Sequence, residues 1–256
     1  CPYSKTSNFF EYWNNSLFAH ISIKTYQNKS LPNVEQFLEA ERRRCTRVEY
    51  LQQYEGEFTD YDKAFIPGQF IDRSLQDYSY VLQRTPGKRY SIGVDWGIKT
   101  DESVITILSS VYKVEWVEYF RGTLDRVVAR IDYLNQFYRF DYIVVEEAGV
   151  SVDTCLQMAK SFKSLKRFVP TNERNFEGYK NLLGVFEKGQ ITLPLSETKL
   201  IDQLRYLEIK QTSTGKFRVD HPSGKHNDAV TSLMLALWPF KKKGTFGYIS
   251  GMPTRE

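Results

Sequence analysis

From Tyr90 onward, hydrophobic and polar positions fall into short, regular blocks. Tyr90-Ser91-Ile92-Gly93-Val94-Asp95 predicts a strand, Ser103 to Leu108 a second, and Tyr112 to Phe120 a third with alternating faces. Three consecutive strands predict an antiparallel meander. Leu124 to Phe140 then carries Leu124, Val127, Val128, Ile131, Leu134 and Phe137 at close to helical spacing. Ile143-Val144-Val145 is a short continuous apolar run, the pattern of a strand covered on both faces. Helices are predicted over Val152 to Phe162 and Asn175 to Lys188, and a strand over Arg167 to Val169. A hairpin over Leu207 to Val219, turning near Ser213-Thr214-Gly215, precedes a last helix over Asp228 to Leu237.

The first 86 residues lack this order. They read as mainly helical and irregular, with an aromatic run Phe9-Phe10-Glu11-Tyr12-Trp13 and strand-like alternation from Ala19 to Thr25. A highly charged helix is predicted from Asn33 to Glu49, after Pro32. Three meandering strands followed by alternating helices and strands give a mixed sheet with helices on both faces. The fold class expected is therefore α/β, a ribonuclease H-like mixed sheet of three antiparallel strands and then parallel strands, preceded by a mostly helical segment.

Composition narrows the class. In 256 residues, 41% hydrophobic content is ample for a core and excludes global disorder. No apolar run approaches the ~18–20 residues that a membrane-spanning helix needs, so no membrane partner is expected. Cys1-Pro2-Tyr3-Ser4 has neither an initiator Met nor the layout of a signal peptide, and it reads as an internal cut in a longer chain. Cys1, Cys45 and Cys155 make an odd count without CxxC, which fits neither a disulfide framework nor a zinc site and suggests a reducing compartment. The net charge is only +4, but seven Lys and Arg face three Glu between positions 160 and 188. Lys160, Lys163, Lys166, Arg167, Arg174 and Lys180 are candidate phosphate contacts, with a solvated helix face as the plain alternative.

Three carboxylates carry the candidate chemistry. Asp95 closes the first strand, Glu146 follows Ile143-Val144-Val145, and Asp228 opens the last helix. Catalytic groups of α/β sheets collect beyond the carboxyl ends of strands, so these three can converge although far apart in sequence. Carboxylate oxygens suit Mg²⁺ or Mn²⁺, and a pair of such ions supports phosphodiester hydrolysis without a histidine base. Glu146 and Glu147 cannot both face inward, because neighbouring strand residues point to opposite sides; Glu146 is chosen and Glu147 held as its substitute. Asp101 is either an additional ligand or a hairpin residue, and His226 either meets a metal or phosphate or belongs to the loop.

In order and spacing, these segments resemble the nuclease domain of large terminase subunits of tailed double-stranded DNA bacteriophages. The resemblance rests on Ile92-Gly93-Val94-Asp95 with Asp101-Glu102-Ser103, on Ile143-Val144-Val145-Glu146 with Gly149-Val150-Ser151, and on His226-Asn227-Asp228-Ala229-Val230. The family's commoner last motif has two acidic residues after the histidine; here the first is Asn227, which leaves the metal role to Asp228. Cys1 to Trp13 is similar to the stretch after the family's ATPase coupling motif, and Asn33 to Phe58 to its region between motor and nuclease. The resemblance implies residues 1–86 as the end of an ATPase domain and linker, 87–245 as the nuclease domain and 246–256 as a tail. It further implies a metal-dependent endonuclease using two Mg²⁺ or Mn²⁺, cutting double-stranded viral DNA in the host cytoplasm during packaging, with a viral portal and a small terminase subunit as partners. No GxxxxGK[ST] phosphate loop occurs, so the expected unit is nuclease without motor. The alternatives are a transposase- or resolvase-like nuclease of the same fold, a non-catalytic module that docks DNA or portal, and an actin-like ATPase. The last is disfavoured because Gly97 is followed by Ile98-Lys99 and no second phosphate loop appears.

Overall fold

The computed structural model describes residues 8–45, 47–58, 64–97, 102–147, 158–211, 217–222 and 224–240. The leading segment contains helices α1 (Asn8–Trp13), α2 (Val34–Arg44), α3 (Arg47–Gln53) and α4 (Gly68–Asp72), with a 3₁₀ turn at Thr25–Gln27. The charged helix expected from Asn33 to Glu49 is thus two helices. Cys45 takes an extended backbone and ends α2, whose last turn is laced by ion pairs of Glu39 with Arg43 and Glu41 with Arg44. The strand expected from Ala19 to Thr25 is not formed. Ile21 and Ile23 are exposed, and no described strand lies beside them to satisfy a ladder or cover one face.

Strands β1 (Leu75–Gln76), β2 (Tyr90–Asp95), β3 (Ser103–Ser109) and β4 (Val114–Phe120) lead to helix α5 (Leu124–Tyr138). There follow β5 (Tyr142–Glu146), β6 (Leu165–Phe168), α6 (Asn172–Glu187), β7 (Leu193–Pro194) and α7 (Thr198–Tyr206). The hairpin β8 (Glu208–Gln211) with β9 (Phe217–Asp220) and helix α8 (Asp228–Leu237) complete the order. Residues 158–161 are helical, within the helix expected from Val152 to Phe162; the earlier part of that helix and the turn at Ser213-Thr214-Gly215 lie outside the described residues.

The main sheet runs β4-β3-β2-β5-β6. β2 pairs antiparallel with β3 and β3 with β4, whereas β2–β5 and β5–β6 are parallel, as the meander and alternating order predict. α5 covers one face, bringing Val127, Ile131, Leu134 and Tyr138 onto Ile92, Ile107, Ile143 and Val145. On the other face α6 and α8 bring Leu182, Phe186, Val230 and Leu233 onto Val104, Leu108 and Val144. Each such buried aliphatic or aromatic side chain contributes about 1.5–3 kcal/mol before chain entropy is counted. α8 is buried at eight of its ten positions, the profile of a helix enclosed by protein.

α8 lies close on β2. A Cβ at Gly93 would fall inside contact distance of the Ser232 carbonyl oxygen and the Ala236 amide nitrogen, and the Ser232 hydroxyl donates to the Gly93 carbonyl at 2.9 Å. Only a residue without a side chain admits this approach. Residues 64–76 dock onto the later elements. β1 pairs with β7, the Phe65 amide donates to the Leu207 carbonyl at 2.7 Å, and Arg73 donates to the Phe186 carbonyl at 2.5 Å.

Candidate active site

The register of the parallel pair β2–β5 puts Val94 beside Val145, so Asp95 and Glu146 end neighbouring strands at the same edge. Alternation gives Asp95 the same face as Gly93, and Glu146 the same face as Val144. That is the face covered by α8, whose first residue is Asp228.

Electrostatics reports the convergence. The Asp95 carboxyl is pushed up to about 8, first by burial and then by the charges of Glu146 and Asp228, against the pull of a hydrogen bond from the Trp96 backbone N–H. Burial also raises Glu146. Among the described residues, however, no three His, Cys, Asp or Glu side chains are drawn close enough to enclose a metal ion.

The alternative Glu147 points elsewhere. One of its carboxylate oxygens lies 3.6 Å from the Arg167 guanidinium, and its backbone N–H donates to the Phe168 carbonyl at 2.9 Å. Its other carboxylate oxygen is buried without a hydrogen-bond partner among the described residues. His226 is exposed, with Nδ1 3.9 Å from an Asp228 carboxylate oxygen. Beside it, Glu102 is held below its ordinary range by a hydrogen bond from Lys199, with the charges of Arg121 and His226 adding to the effect. Asp101 and Gly149-Val150-Ser151 lie outside the described residues.

The basic residues are spread over several elements. Arg167 and Arg174 lie toward the carboxyl end of β6, the end that carries the acids, and Arg174 donates to the Val169 carbonyl at 3.4 Å. Lys163 precedes β6 at its amino end, and Lys160 lies on the helical turn before that. Lys166 is exposed on the edge strand, and the Lys180 ammonium lies 5.9 Å from the Phe176 ring centroid.

Sequence reasoning misses three groups around Asp228. Tyr179 on α6, only 4% exposed, has its hydroxyl 3.0 Å from the Thr231 hydroxyl and accepts from the Asn227 side-chain amide at 3.1 Å. Gln203 on α7 accepts from the Ala229 backbone N–H at 2.8 Å. Ser232 anchors α8 to β2. No local pattern marks them, because their partners lie tens of residues away.

No protein-family model matches the chain. Among curated proteins, the chain is 26% identical over 211 residues to the large terminase subunit of Thermus phage G20c. That match covers 78% of this chain and 43% of the relative, so the chain spans less than half of the relative's length. Among solved structures, the large terminase nuclease of the thermophilic phage G20c superposes with a TM-score of 0.62 at 25% identity, covering 70% of this chain and all of that one. The same nuclease has been solved with bound magnesium and with bound cobalt. The large terminase of another thermophilic bacteriophage shares the fold over 93% of this chain and 61% of its own, with a TM-score of 0.64 at 14% identity. The mixed sheet is therefore ribonuclease H-like, and the chain is a relative of the phage large terminase subunits, matched along their nuclease domain.

Proposed function

We propose that this chain is the nuclease part of a phage large terminase, hydrolysing phosphodiester bonds of double-stranded DNA during genome packaging. Residues 87–245 form that nuclease unit in this reading, 1–86 the end of an ATPase domain and its linker, and 246–256 a tail. A viral portal and a small terminase subunit are its partners, and the host cytoplasm its place of work. The observation that carries the reading is that Asp95 and Glu146 end the neighbouring parallel strands β2 and β5 on the face covered by α8, whose first residue is Asp228. Three carboxyl groups gathered at one edge are oxygen donors, and a hard divalent cation is the chemical complement of such a donor set. The fit is therefore one of donor type, carboxylate oxygens being the ligands that Mg²⁺ and Mn²⁺ take.

In this reading Asp95, on the central strand between β3 and β5, would hold two Mg²⁺ or Mn²⁺ together with Glu146 and Asp228. When bound, such ions neutralise charge on the phosphate and acidify a water. The protein supplies the rest. β2 and β5 fix two carboxylates on a rigid sheet edge, and α8 brings the third from above. Arg167 and Arg174, at the same end, supply positive charge for the DNA backbone, while Asp101 and His226 remain supporting candidates.

Plasmid incubated with the purified chain should be nicked and linearised when Mn²⁺ or Mg²⁺ is present and left intact when EDTA is present. Cutting that persists in EDTA would refute the reading. DNA binding without cutting under any divalent metal would favour the docking module.

A further inference from the structure

We propose that Tyr179 is a positioning residue for the candidate metal site, acting with Asn227 to fix the first turn of α8 and thereby the carboxylate of Asp228. This inference rests on the metal-site reading above.

Asn227 occupies the N-cap position of α8, where an Asn side chain ordinarily accepts a hydrogen bond from the helix's own first-turn N–H groups. Here it makes no such bond. Its side-chain amide instead donates to the Tyr179 hydroxyl at 3.1 Å, across 48 residues of sequence. Having accepted that bond, the phenol has its own proton to give, and the Thr231 hydroxyl lies 3.0 Å away to receive it. The Thr231 backbone N–H in turn donates to the Asn227 carbonyl at 2.8 Å, closing a ring of three bonds around the helix start. The role vacated by Asn227 passes to Gln203, which accepts from the Ala229 N–H. Asp228 thus lies between Asn227, tied to α6, and Ala229, tied to α7.

Why the arrangement is diverted from the ordinary cap follows from where Tyr179 lies. Burial raises its phenol, and the Asp95 and Glu146 carboxylates are close enough to add to that effect. The hydroxyl therefore lies within electrostatic range of two of the acids, yet its bonds run to the element that carries Asp228. Packing leaves little freedom for the pair of helices, since a Cβ at Gly178, next to the tyrosine, would meet the Met234 side chain on α8. A group that orients a ligand by bonding to its immediate neighbours is the usual outer support of a metal site, and its removal typically weakens metal binding by about 10-fold or more.

The test is Mn²⁺ binding to the 256-residue chain by isothermal titration calorimetry, with melting temperatures taken in EDTA. Tyr179→Phe keeps the ring and removes the hydroxyl; it should bind Mn²⁺ about 10-fold more weakly. Asn227→Ala should weaken binding to a similar degree, and the double variant no further than either single one, because both act through the same bond. A Tyr179→Phe chain that melts lower but binds Mn²⁺ as tightly as the parent overturns the inference and leaves the metal site standing. A parent chain that binds no Mn²⁺ overturns the metal-site reading and the inference with it. Should Tyr179→Phe fail to fold, the Asn227→Ala chain decides by the same comparison.

Discussion

The hydroxyl of Ser232 donates to the carbonyl of Gly93, and the backbone of α8 occupies the space that a side chain at position 93 would fill. This contact sets the height of α8 above β2, and with it the distance from Asp228 to Asp95. Gly93→Ala should push the helix off the strand. Overpacking of this kind destabilises by about 1–3 kcal/mol or more. Urea unfolding should show a lower midpoint, and metal-dependent cleavage should fall further than the folded fraction does. A variant as stable and as active as the parent would remove Gly93 from the architecture of the site.

Asp95→Asn separates charge from shape. Cleavage should drop by roughly 100-fold or more, with DNA binding retained. Stability in EDTA should rise, with a defined pH dependence. The folded parent holds the Asp95 proton up to about pH 8, whereas the unfolded chain releases it near 3.8, so the folded state binds more protons across that window. Parental stability attributable to this group is therefore greatest below the lower value, falls as pH rises, and levels off above about 8. The gradient is at most about 1.4 kcal/mol per pH unit for one proton. Thermal melts from about pH 4 to 9 should show this slope reduced in Asp95→Asn; identical profiles would mean that Asp95 is not a buried, charge-crowded acid.

Glu146→Gln and Glu147→Gln should part company. Glu146 shares a face with Asp95, so its amide should abolish most cleavage. Glu147 forms an ion pair with Arg167 instead, and loss of such a partly exposed pair is worth about 0.2–1 kcal/mol of stability and leaves the reaction largely intact. Plasmid nicking rates under Mn²⁺ distinguish them, and the reverse ranking would exchange their roles.

Much of this fold is legible because its signals are local. β2, β3, β4 and β5 each announce themselves within seven residues, and Asp228 begins its helix where the sequence places it. Ala19 to Thr25 misleads because alternation states only what a strand would look like, and cannot supply the neighbour that a strand needs. Helix α7 escapes a reading of pattern although Leu200, Ile201 and Leu204 carry helical spacing, its nine residues being a short window between β7 and the hairpin. Asp95 and Glu146 stand out by their position at strand ends and Asp228 at a helix start, whereas Tyr179 and Gln203 do not, because each is defined by a partner on another element.

The basic side chains divide by position. If Arg167 and Arg174 meet DNA phosphates, replacing each with Gln should lower the slope of log affinity against log salt concentration by about 0.9. Lys163→Gln, at the opposite end of β6, should leave the slope unchanged. Binding isotherms on a short duplex between about 50 and 200 mM salt measure this; equal effects at all three positions would mean a diffuse field with no path across the acid edge.

The bond from Ser232 to Gly93 joins residues 139 positions apart. Contacts of such separation close late, because the chain entropy of the loop must be overcome before the contact repays it. During synthesis β2 emerges long before α8, and its α8-facing side stays uncovered until about residue 237 has left the ribosome. Asp228 arrives with that same helix. The element that finishes the core is thus also the one that carries Asp228, so on the proposed reading a half-made chain would carry Asp95 and Glu146 without the third acid, and cleavage would switch on only once α8 has docked.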